Sequence, residues 1–531
     1  MKITKIVSLF CALVMVLSLF AACAETGDEA GTTEAIAGTE APATEPEVTK
    51  DPNYDDDGYL KSKLPEDVKY TGEKISILCW EDVERPEFEV LENETGLDLV
   101  KDAIYERNIA TEARLGVTLE WTEQAGDSND LKAFVNYVQN AFNAGTYYDI
   151  IATYSRTAAS LSASGLLEDL NDVEDSHLDL DMPWWPEAML ETCSIKDSLF
   201  FVSGDISTNL LHMMYAIYYN MDMLKDLGLD DPVKMVDEKT WTIDALIKMT
   251  TDVYLDLDSS QDRSDNDRYG FCSNYFHLEA FYSGSGMKLL EPATDGKVLK
   301  ISDDYLSQKT IDLVDKLGSW FKLGDTFINP PGGKLPNDLV FAEGRALFTQ
   351  NRVYVADAQY GGGKLRNADW EYGIIPNPLY DADQEDYITL IGNPFTLWCV
   401  MRGARNASMS TAVMEVMGSE GYRKTSPALF ENNMKYRYTP DSSNKGDGAR
   451  MIDIIRENIS FDLGRFFAAE MNYISEKPLR AALDGASWST AGKQQTNALK
   501  NSTTTVPIMK YLSTRVMVSS SRSPTVRLGA L

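Results

Sequence analysis

The sequence predicts an α/β protein, because short apolar runs alternate with helix-like segments in the first part of the folded body. Lys74 to Trp80 and Tyr148 to Thr153 are largely apolar, as buried strands are, and Asp98 to Arg114 carries apolar residues three and four positions apart, as helices do. Strands that alternate with helices form β-α-β units and a parallel sheet. With 44% hydrophobic residues, the 531-residue chain can build two or more folded units.

Further elements are predicted in chain order from the same patterns. They are a strand at Val117 to Trp121, a helix at Asp130 to Ala144, a strand at Leu210 to Tyr219, a short helix at Met221 to Leu227 closed by Gly228, and a helix to about Leu255 with Thr240 or Thr242 as its cap. Because ligands of parallel sheets bind beyond the carboxyl ends of the strands, Trp80 to Asp82 and Tyr154 to Arg156 are candidate site loops.

The charge of the chain excludes some classes of partner. Its 82 acidic and 49 basic residues give a net charge of −33, which repels nucleic acid and anionic membrane surfaces. Only three histidines are present, so a histidine-rich metal site has almost no ligands to draw on, and no cofactor is expected. The Asp-rich segment Asp256 to Asp267 only loosely resembles a calcium loop, and a solvated loop is the alternative.

The N-terminus has the pattern of a secretory signal that ends in a cysteine. Lys2 and Lys5 precede an apolar stretch, and Ala21 and Ala22 stand directly before Cys23. This resembles the bacterial lipobox, although Phe20 stands where Leu is more common, and it implies that residues 1–22 are removed and that Cys23 carries lipid. An ordinary secretory signal with an incidental Cys23, or a permanent membrane anchor, are the alternatives.

An acidic linker follows the predicted lipid anchor. Residues 24–60 hold eleven acidic residues and one lysine among Thr, Ala, Gly and Pro, and they cannot bury enough apolar area to fold. We therefore expect residues 23–69 to form an extended, self-repelling tether.

Four cysteines remain after the predicted signal and lipid site. Cys79, Cys193, Cys272 and Cys399 form no C-x-x-C pair, which leaves zinc and redox motifs unsupported. Disulfides and buried free thiols both remain open.

Several short motifs occur in a fixed order along the body. They are Tyr147–Ile151, Ser164–Leu170, Tyr218–Leu224 followed by Gly228-Leu229, Pro232 and Thr240-Trp241, then Phe341–Phe348 and Tyr372–Pro376. Each motif alone is weak, but the collinear set, from Ile75 to Ala412, resembles the extracellular solute-binding proteins of carbohydrate ABC transporters, which include the maltose-binding proteins. Residues after Phe430 match poorly.

This resemblance implies a periplasmic-binding-protein-like type II fold, in which two α/β lobes joined by a hinge enclose a ligand cleft. We expect lobe 1 at 70–208 with a return at about 395–430, and lobe 2 at 209–394 completed by about 431–531. The chain would cross between the lobes near Leu210 to Tyr219 and near Ile388 to Val400, and hinge closure would be the working motion.

Sugar ligands need aromatic platforms and planar polar groups that make paired hydrogen bonds. Trp80, Glu81 and Asp82 follow the first strand, and Tyr154 and Arg156 stand where maltose-binding relatives have an aromatic followed by polar and basic residues. Tyr275 matches a stacking position of the family, and Tyr354 and Trp488 match two others more loosely. The alternative for each of the five aromatics is an ordinary core residue.

The resemblance implies a lipid-anchored receptor on the outer face of the cytoplasmic membrane. It would act as a monomer, bind a small solute, an oligosaccharide, and deliver it to ABC permease subunits. No catalytic residue is predicted, because Tyr282–Gly286 lacks the first Gly of a nucleophile elbow and no Ser or Thr follows Gly361–Lys364. A secreted glycoside hydrolase or lyase, and a surface glycan-binding protein without a transporter, are the alternatives.

Overall fold

Two sheets flanked by helices form the framework of the protein. The computed structural model describes residues 51–501 apart from 82, 84–85, 196–197, 293–298, 330–336, 358–362 and 440–444. From Asn53 onward, the described residues belong to one compact unit. The predicted signal peptide, Cys23, most of the tether and Asp82 lie outside the described residues.

The bounds of the regular elements are as follows. The strands are β1 (Lys74–Trp80), β2 (Thr118–Gln124), β3 (Ile150–Tyr154), β4 (Tyr215–Asn220), β5 (Tyr269–Asn274), β6 (Leu290–Pro292), β7 (Leu299–Ile301), β8 (Thr326–Asn329), β9 (Ala346–Arg352), β10 (Tyr372–Ile375), β11 (Thr389–Leu390), β12 (Thr396–Val400) and β13 (Ile459–Ser460). The α-helices are α1 (Leu99–Leu115), α2 (Leu131–Ala144), α3 (Ser155–Ala163), α4 (Glu187–Cys193), α5 (Thr208–His212), α6 (Met221–Asp226), α7 (Pro232–Asp237), α8 (Ile243–Thr250), α9 (Glu279–Gly284), α10 (Gln308–Lys322), α11 (Asn337–Ala342), α12 (Ala407–Glu420), α13 (Lys445–Glu457), α14 (Leu463–Phe466), α15 (Lys477–Asp484) and α16 (Trp488–Asn501).

Both sheets contain parallel and antiparallel strands. The first has the order β12-β3-β1-β2, in which β1 runs parallel to both neighbours and β12 runs antiparallel to β3. The second has the order β10-β4-β9-β5-β8, in which β5 is parallel to β8 and β9 while β4 is antiparallel to β9 and β10. The parallel sheet expected from the first part of the body is therefore correct for β1 to β3, and an antiparallel strand from much later in the chain is added at the edge.

The predicted strand at Lys74 to Trp80 is confirmed over its full length, and the helix predicted from Asp98 is α1. The long helix predicted to reach about Leu255 is wrong in length, because α8 ends at Thr250. Thr242 is its cap and accepts a hydrogen bond from the backbone N–H of Ala245.

The strand predicted at Leu210 to Tyr219 is wrong in its first half, where the chain forms α5 before β4 begins at Tyr215. The fully buried carboxylate of Glu87 accepts from the Ser207 hydroxyl at 2.8 Å and from the Asn209 N–H at 2.9 Å. A carboxylate at the start of a helical turn satisfies N–H groups that a strand would place elsewhere. Since Glu87 is about 120 residues away in sequence, local patterns do not show it.

Short bridges tie together three segments that run between the two sheets. Met214 pairs with Ile391 just before β4, and Thr389 of β11 pairs with Ile459 of β13. These segments include both regions where the sequence resemblance places a crossing. The lobe boundaries given above stay a proposal.

The segment between α3 and α5 is held in the core by two adjacent tryptophans. Trp184 and Trp185 are buried, and both indole N–H groups donate to the carboxylate of Glu415 on α12, at 3.4 and 3.1 Å.

Cys79, Cys193, Cys272 and Cys399, whose state the sequence left open, are free and buried. Within the described residues, no helix combines the length and the apolar character needed to span a bilayer.

Candidate functional site

The ends of β1 and β3 bring two predicted contact residues together. The rings of Trp80 and Tyr154 lie 5.6 Å apart, and both side chains are almost fully buried. Trp80 also donates from its indole N–H to the Thr396 hydroxyl at 2.9 Å. Trp80 is therefore covered by protein in this conformation, whereas Glu81, the next residue, is exposed.

Arg156 connects the end of the first sheet to the C-terminal segment. It lies in the first turn of α3, directly after β3, and only 7% of its surface is exposed. Its guanidinium lies 3.8 Å from a Glu476 carboxylate oxygen and stands over the ring of Tyr473, 5.4 Å from the centroid. An arginine over an aromatic face is held by attraction between the cation and the ring.

The same glutamate holds a second arginine and, through it, a second tyrosine. Arg480 donates to the other oxygen of Glu476 at 3.0 Å, and its guanidinium lies 5.1 Å from the ring centroid of Tyr275. Tyr275 directly follows β5 of the second sheet. We call Tyr275, Arg480, Glu476, Arg156 and Tyr473 the Tyr–Arg array, and it joins the carboxyl ends of strands from the two sheets.

A buried ion pair between Arg465 and Glu279 supports the Tyr–Arg array. Arg465 donates to Glu279 on α9 at 2.8 Å, and each side chain is only 3% exposed. The Ser475 hydroxyl donates to the other Glu279 oxygen at 2.9 Å, and Arg465 also donates to the carbonyl of Ile391 beside β11. A buried charge pair needs such additional hydrogen bonds, and these hold the C-terminal loop against α9 and the end of β11.

Electrostatics keep Arg156 charged in spite of its burial. Burial alone would lower the pKa of its guanidinium, but Tyr154, Glu279, Glu476 and Tyr473 together outweigh burial and raise that pKa. These neighbours lie at the end of β3, on α9 and in the C-terminal segment, so three separate parts of the chain stabilise the charge of Arg156.

Some polar atoms at this site have no partner among the described residues. They are the Nε–H groups of Arg156 and Arg480, one terminal nitrogen of Arg465 and one carboxylate oxygen of Glu470. A buried donor or acceptor that is left unpaired costs free energy, and a polar ligand can recover it. The site thus offers three donors and one acceptor beside two tyrosine rings.

Tyr354 belongs to a neighbouring cluster at the end of β9. Arg352 donates to the Tyr354 hydroxyl at 3.0 Å, and its guanidinium stands 4.6 Å from the centroid of that ring. Tyr215 lies nearby, and burial raises the pKa of its hydroxyl to about 12, with Arg352 and Arg465 opposing that rise. Because Tyr215 interacts with both arginines, this cluster adjoins the ion pair of Arg465 and Glu279.

Trp488 lies elsewhere, at the start of α16. It is fully buried, donates to the Tyr305 carbonyl at 2.8 Å, and packs edge to face against the Tyr305 ring at 5.1 Å. None of the contacts described for Trp488 joins it to the Tyr–Arg array.

Sequence reasoning missed the C-terminal half of this site. Tyr473, Glu476 and Arg480 lie in the stretch where the motifs match poorly. The spacing of Glu476 and Arg480 by four on one helical turn was visible as a local ion pair. The pairing of Glu476 with Arg156, 320 residues away, had no local signal.

A pocket in another part of the molecule is a different feature. It has a volume of about 350 Å³ and lies between the end of α13 and the segment that joins α3 to α5, which we call the Trp184 segment. Pro186, Leu210 and Ile459 are among its walls. An ion pair at 3.3 Å between Asp205 and Arg456 forms part of its lining.

The Asp-rich loop does bring three carboxylates together. Oxygen atoms of Asp256, Asp258 and Asp267 lie within 4.8 Å of one another. Asp267 is buried and accepts from the backbone N–H groups of Leu257 and Ser264 and from the Tyr254 hydroxyl. The loop's own donors therefore satisfy the innermost carboxylate.

This chain is similar to known proteins in its family and in its fold. Residues 108–424 match the family described as bacterial extracellular solute-binding protein. No curated protein matches the sequence.

Three solved structures illustrate the likeness. A cyclo/maltodextrin-binding protein complexed with maltotetraose is 13% identical, with a TM-score of 0.52 over 82% of this chain and 96% of that chain. The galacto-N-biose-/lacto-N-biose I-binding protein of an ABC transporter from Bifidobacterium longum is 11% identical, with a TM-score of 0.52 over 83% and 97%. The cyclic alpha-maltosyl-1,6-maltose binding protein from Arthrobacter globiformis is 12% identical, with a TM-score of 0.52 over 82% and 99%. At these identities the likeness shows the fold, and the expected type II fold with two α/β lobes is confirmed.

Proposed function

The chain belongs to the bacterial extracellular solute-binding proteins, and on that premise we propose that it is a lipid-anchored receptor that captures an oligosaccharide and delivers it to an ABC importer. The observation that carries the proposal is the Tyr–Arg array, which links the carboxyl ends of strands in both sheets. Aromatic rings beside buried charged groups are the chemistry that recognises the flat faces and hydroxyl rims of sugars.

The similar solved structures agree with a sugar as the solute. Those proteins are described with maltotetraose, or as binding proteins for lacto-N-biose and a cyclic maltosyl-maltose. The unpartnered N–H groups of Arg156, Arg465 and Arg480 would donate hydrogen bonds to hydroxyl oxygens of such a solute.

The proposed mechanism is capture by lobe closure. Arg156 extends from the first sheet toward Glu476 of the C-terminal segment, so this ion pair forms only when the two sides are close. A solute bound between them would add contacts to both sides and shift the population toward the closed form. The closed receptor would then present both lobes to the permease subunits.

The side chains of this site fit the binding of a solute better than they fit glycoside hydrolysis. Two of its carboxylates, Glu279 and Glu476, form ion pairs with arginines. A glycoside hydrolase instead needs two carboxyl groups that flank the scissile glycosidic bond. Carboxylates held by arginines fit recognition of a solute.

Thermal unfolding of the purified protein against a panel of glycans tests the proposal. We expect one class of oligosaccharide to raise Tm, because a solute at about 100 times its Kd adds about 2.7 kcal/mol to the free energy of unfolding. The same samples are analysed for cleaved glycan. Cleavage of a panel member by the protein would contradict the receptor function, and stabilisation by none would contradict the sugar class.

A further inference from the structure

Tyr473 has a backbone conformation that is unusual for its side chain. It has φ 54° and ψ 47°, and Asn472 before it has φ 53°, so two consecutive residues are left-handed. Asparagine tolerates this region, but a bulky side chain there is strained because its Cβ crowds the following carbonyl oxygen. Of the seven described non-glycine residues with positive φ, Tyr473 is the sole aromatic one.

The backbone hydrogen bonds at this position do not depend on the side chain. The N–H of Tyr473 donates to the Ala468 carbonyl at 2.7 Å, and its own carbonyl accepts from the Glu476 N–H at 3.1 Å. Glycine could make both bonds without strain. The loop geometry alone would therefore favour glycine, and the tyrosine ring must be retained for another reason.

The position of the ring indicates that reason. Tyr473 is 41% exposed although it lies beside nearly buried Arg156, whose guanidinium stands over the ring. The buried Nε–H of Arg156 has no described partner. A flat apolar ring and an unfilled donor therefore stand next to each other at the junction of the two sheets.

We propose that Tyr473 is a stacking platform for one sugar ring of the solute, and that the strained backbone at Asn472 and Tyr473 is kept in order to present that platform. A pyranose ring would lie against the exposed surface of Tyr473 while a hydroxyl oxygen of the same sugar accepts from Arg156 Nε. This inference rests on the proposed sugar-binding function and adds a residue that determines specificity.

Three substitutions separate strain from binding. Tyr473→Ala removes the ring and keeps the Cβ, whereas Tyr473→Gly removes both, so we expect Tyr473→Gly to have the higher Tm of the two and both to lose at least tenfold in sugar affinity. Tyr473→Phe keeps the ring and should retain affinity within about threefold. Asp252→Gly is the control for relief of strain elsewhere, since Asp252 is an exposed residue with φ 62° far along the chain from the array. It should raise Tm relative to the wild type without changing sugar affinity.

The measurements are Tm without sugar and calorimetric titration with maltotetraose, lacto-N-biose and whichever panel glycan stabilises the wild type. A Tm of Tyr473→Gly no higher than that of Tyr473→Ala would overturn the strain argument, whether or not any sugar binds. Equal affinity of wild type and Tyr473→Gly for a bound sugar would overturn the platform and leave the receptor function intact. If no sugar binds the wild type, the proposed function fails and the platform fails with it.

Discussion

Glu415 is a buried acid that forms no ion pair within the described part of the chain. Only 1% of it is exposed, and it accepts from the two indoles of Trp184 and Trp185 and from the backbone N–H of Asp179. Burial raises the pKa of this carboxyl from 4.5 to about 7, because the hydrogen bonds offset only part of the lost hydration. A single side chain thus makes the stability of the Trp184 segment depend on pH.

We expect the free energy of unfolding to fall as pH rises from about 4.5 to about 7. In that range Glu415 stays protonated in the folded chain and is ionised in the unfolded chain. The free energy of unfolding therefore falls by up to about 3 kcal/mol across the range. Glu415→Gln should make this dependence shallower without abolishing it, because burial also raises the pKa of Asp462, to about 6. Glu92→Gln, at an exposed site, should leave the dependence unchanged. Urea unfolding between pH 5 and pH 8 measures the effect, and equal slopes in wild type and Glu415→Gln would contradict it.

At the scale of a single element, the signals for α1 are complete in the sequence. The Asp98 carboxylate accepts from the N–H groups of Val100 and Lys101, at 2.9 and 3.2 Å, and Gly116 ends the helix with φ 74°. Both are local signals, which is why the start and the end of this helix were predictable. By contrast, α5 depends on Glu87, and the first half of the predicted strand there was wrong for that reason.

Asp98→Ala should lower the free energy of unfolding by about 1 kcal/mol, because two N–H groups at the start of α1 lose their acceptor. Asp98→Asn keeps an oxygen acceptor and should lose only a small part of that amount. Urea denaturation of the three proteins at neutral pH gives the comparison. Equal losses in both variants would show that the charge of Asp98, rather than capping, stabilises the helix.

At the scale of the whole molecule, the net charge of the protein affects whether it can stay at a membrane surface. Residues 24–60 contribute eleven acidic residues and one lysine to the −33 of the chain, and the folded body carries most of the rest. Such a body is soluble and is repelled by anionic membranes, so the proposed receptor depends on lipid at Cys23 to stay at the cell surface.

Cys23→Ser should therefore move the protein from the membrane fraction of cells to the medium, because the secreted chain would have no anchor. Cys11→Ser, inside the apolar stretch of the signal, is the matched control and should stay with the membrane. Immunoblots of cell and medium fractions measure the distribution. Retention of the Cys23→Ser protein in the membrane fraction would favour an uncleaved signal as the anchor.

The sequence by itself determined the alternation of strands and helices, the caps of the helices and the family motifs, because each depends on residues close together in the chain. It also placed Tyr154 and Arg156 at the carboxyl end of β3 and Tyr275 at that of β5, where ligands of such sheets bind. Only the tertiary structure decided what these side chains contact. Burial and ion pairing depend on which distant segments meet, so the link from Arg156 through Glu476 to Arg480 and the strained platform of Tyr473 became visible only when residues 320 positions apart were brought together.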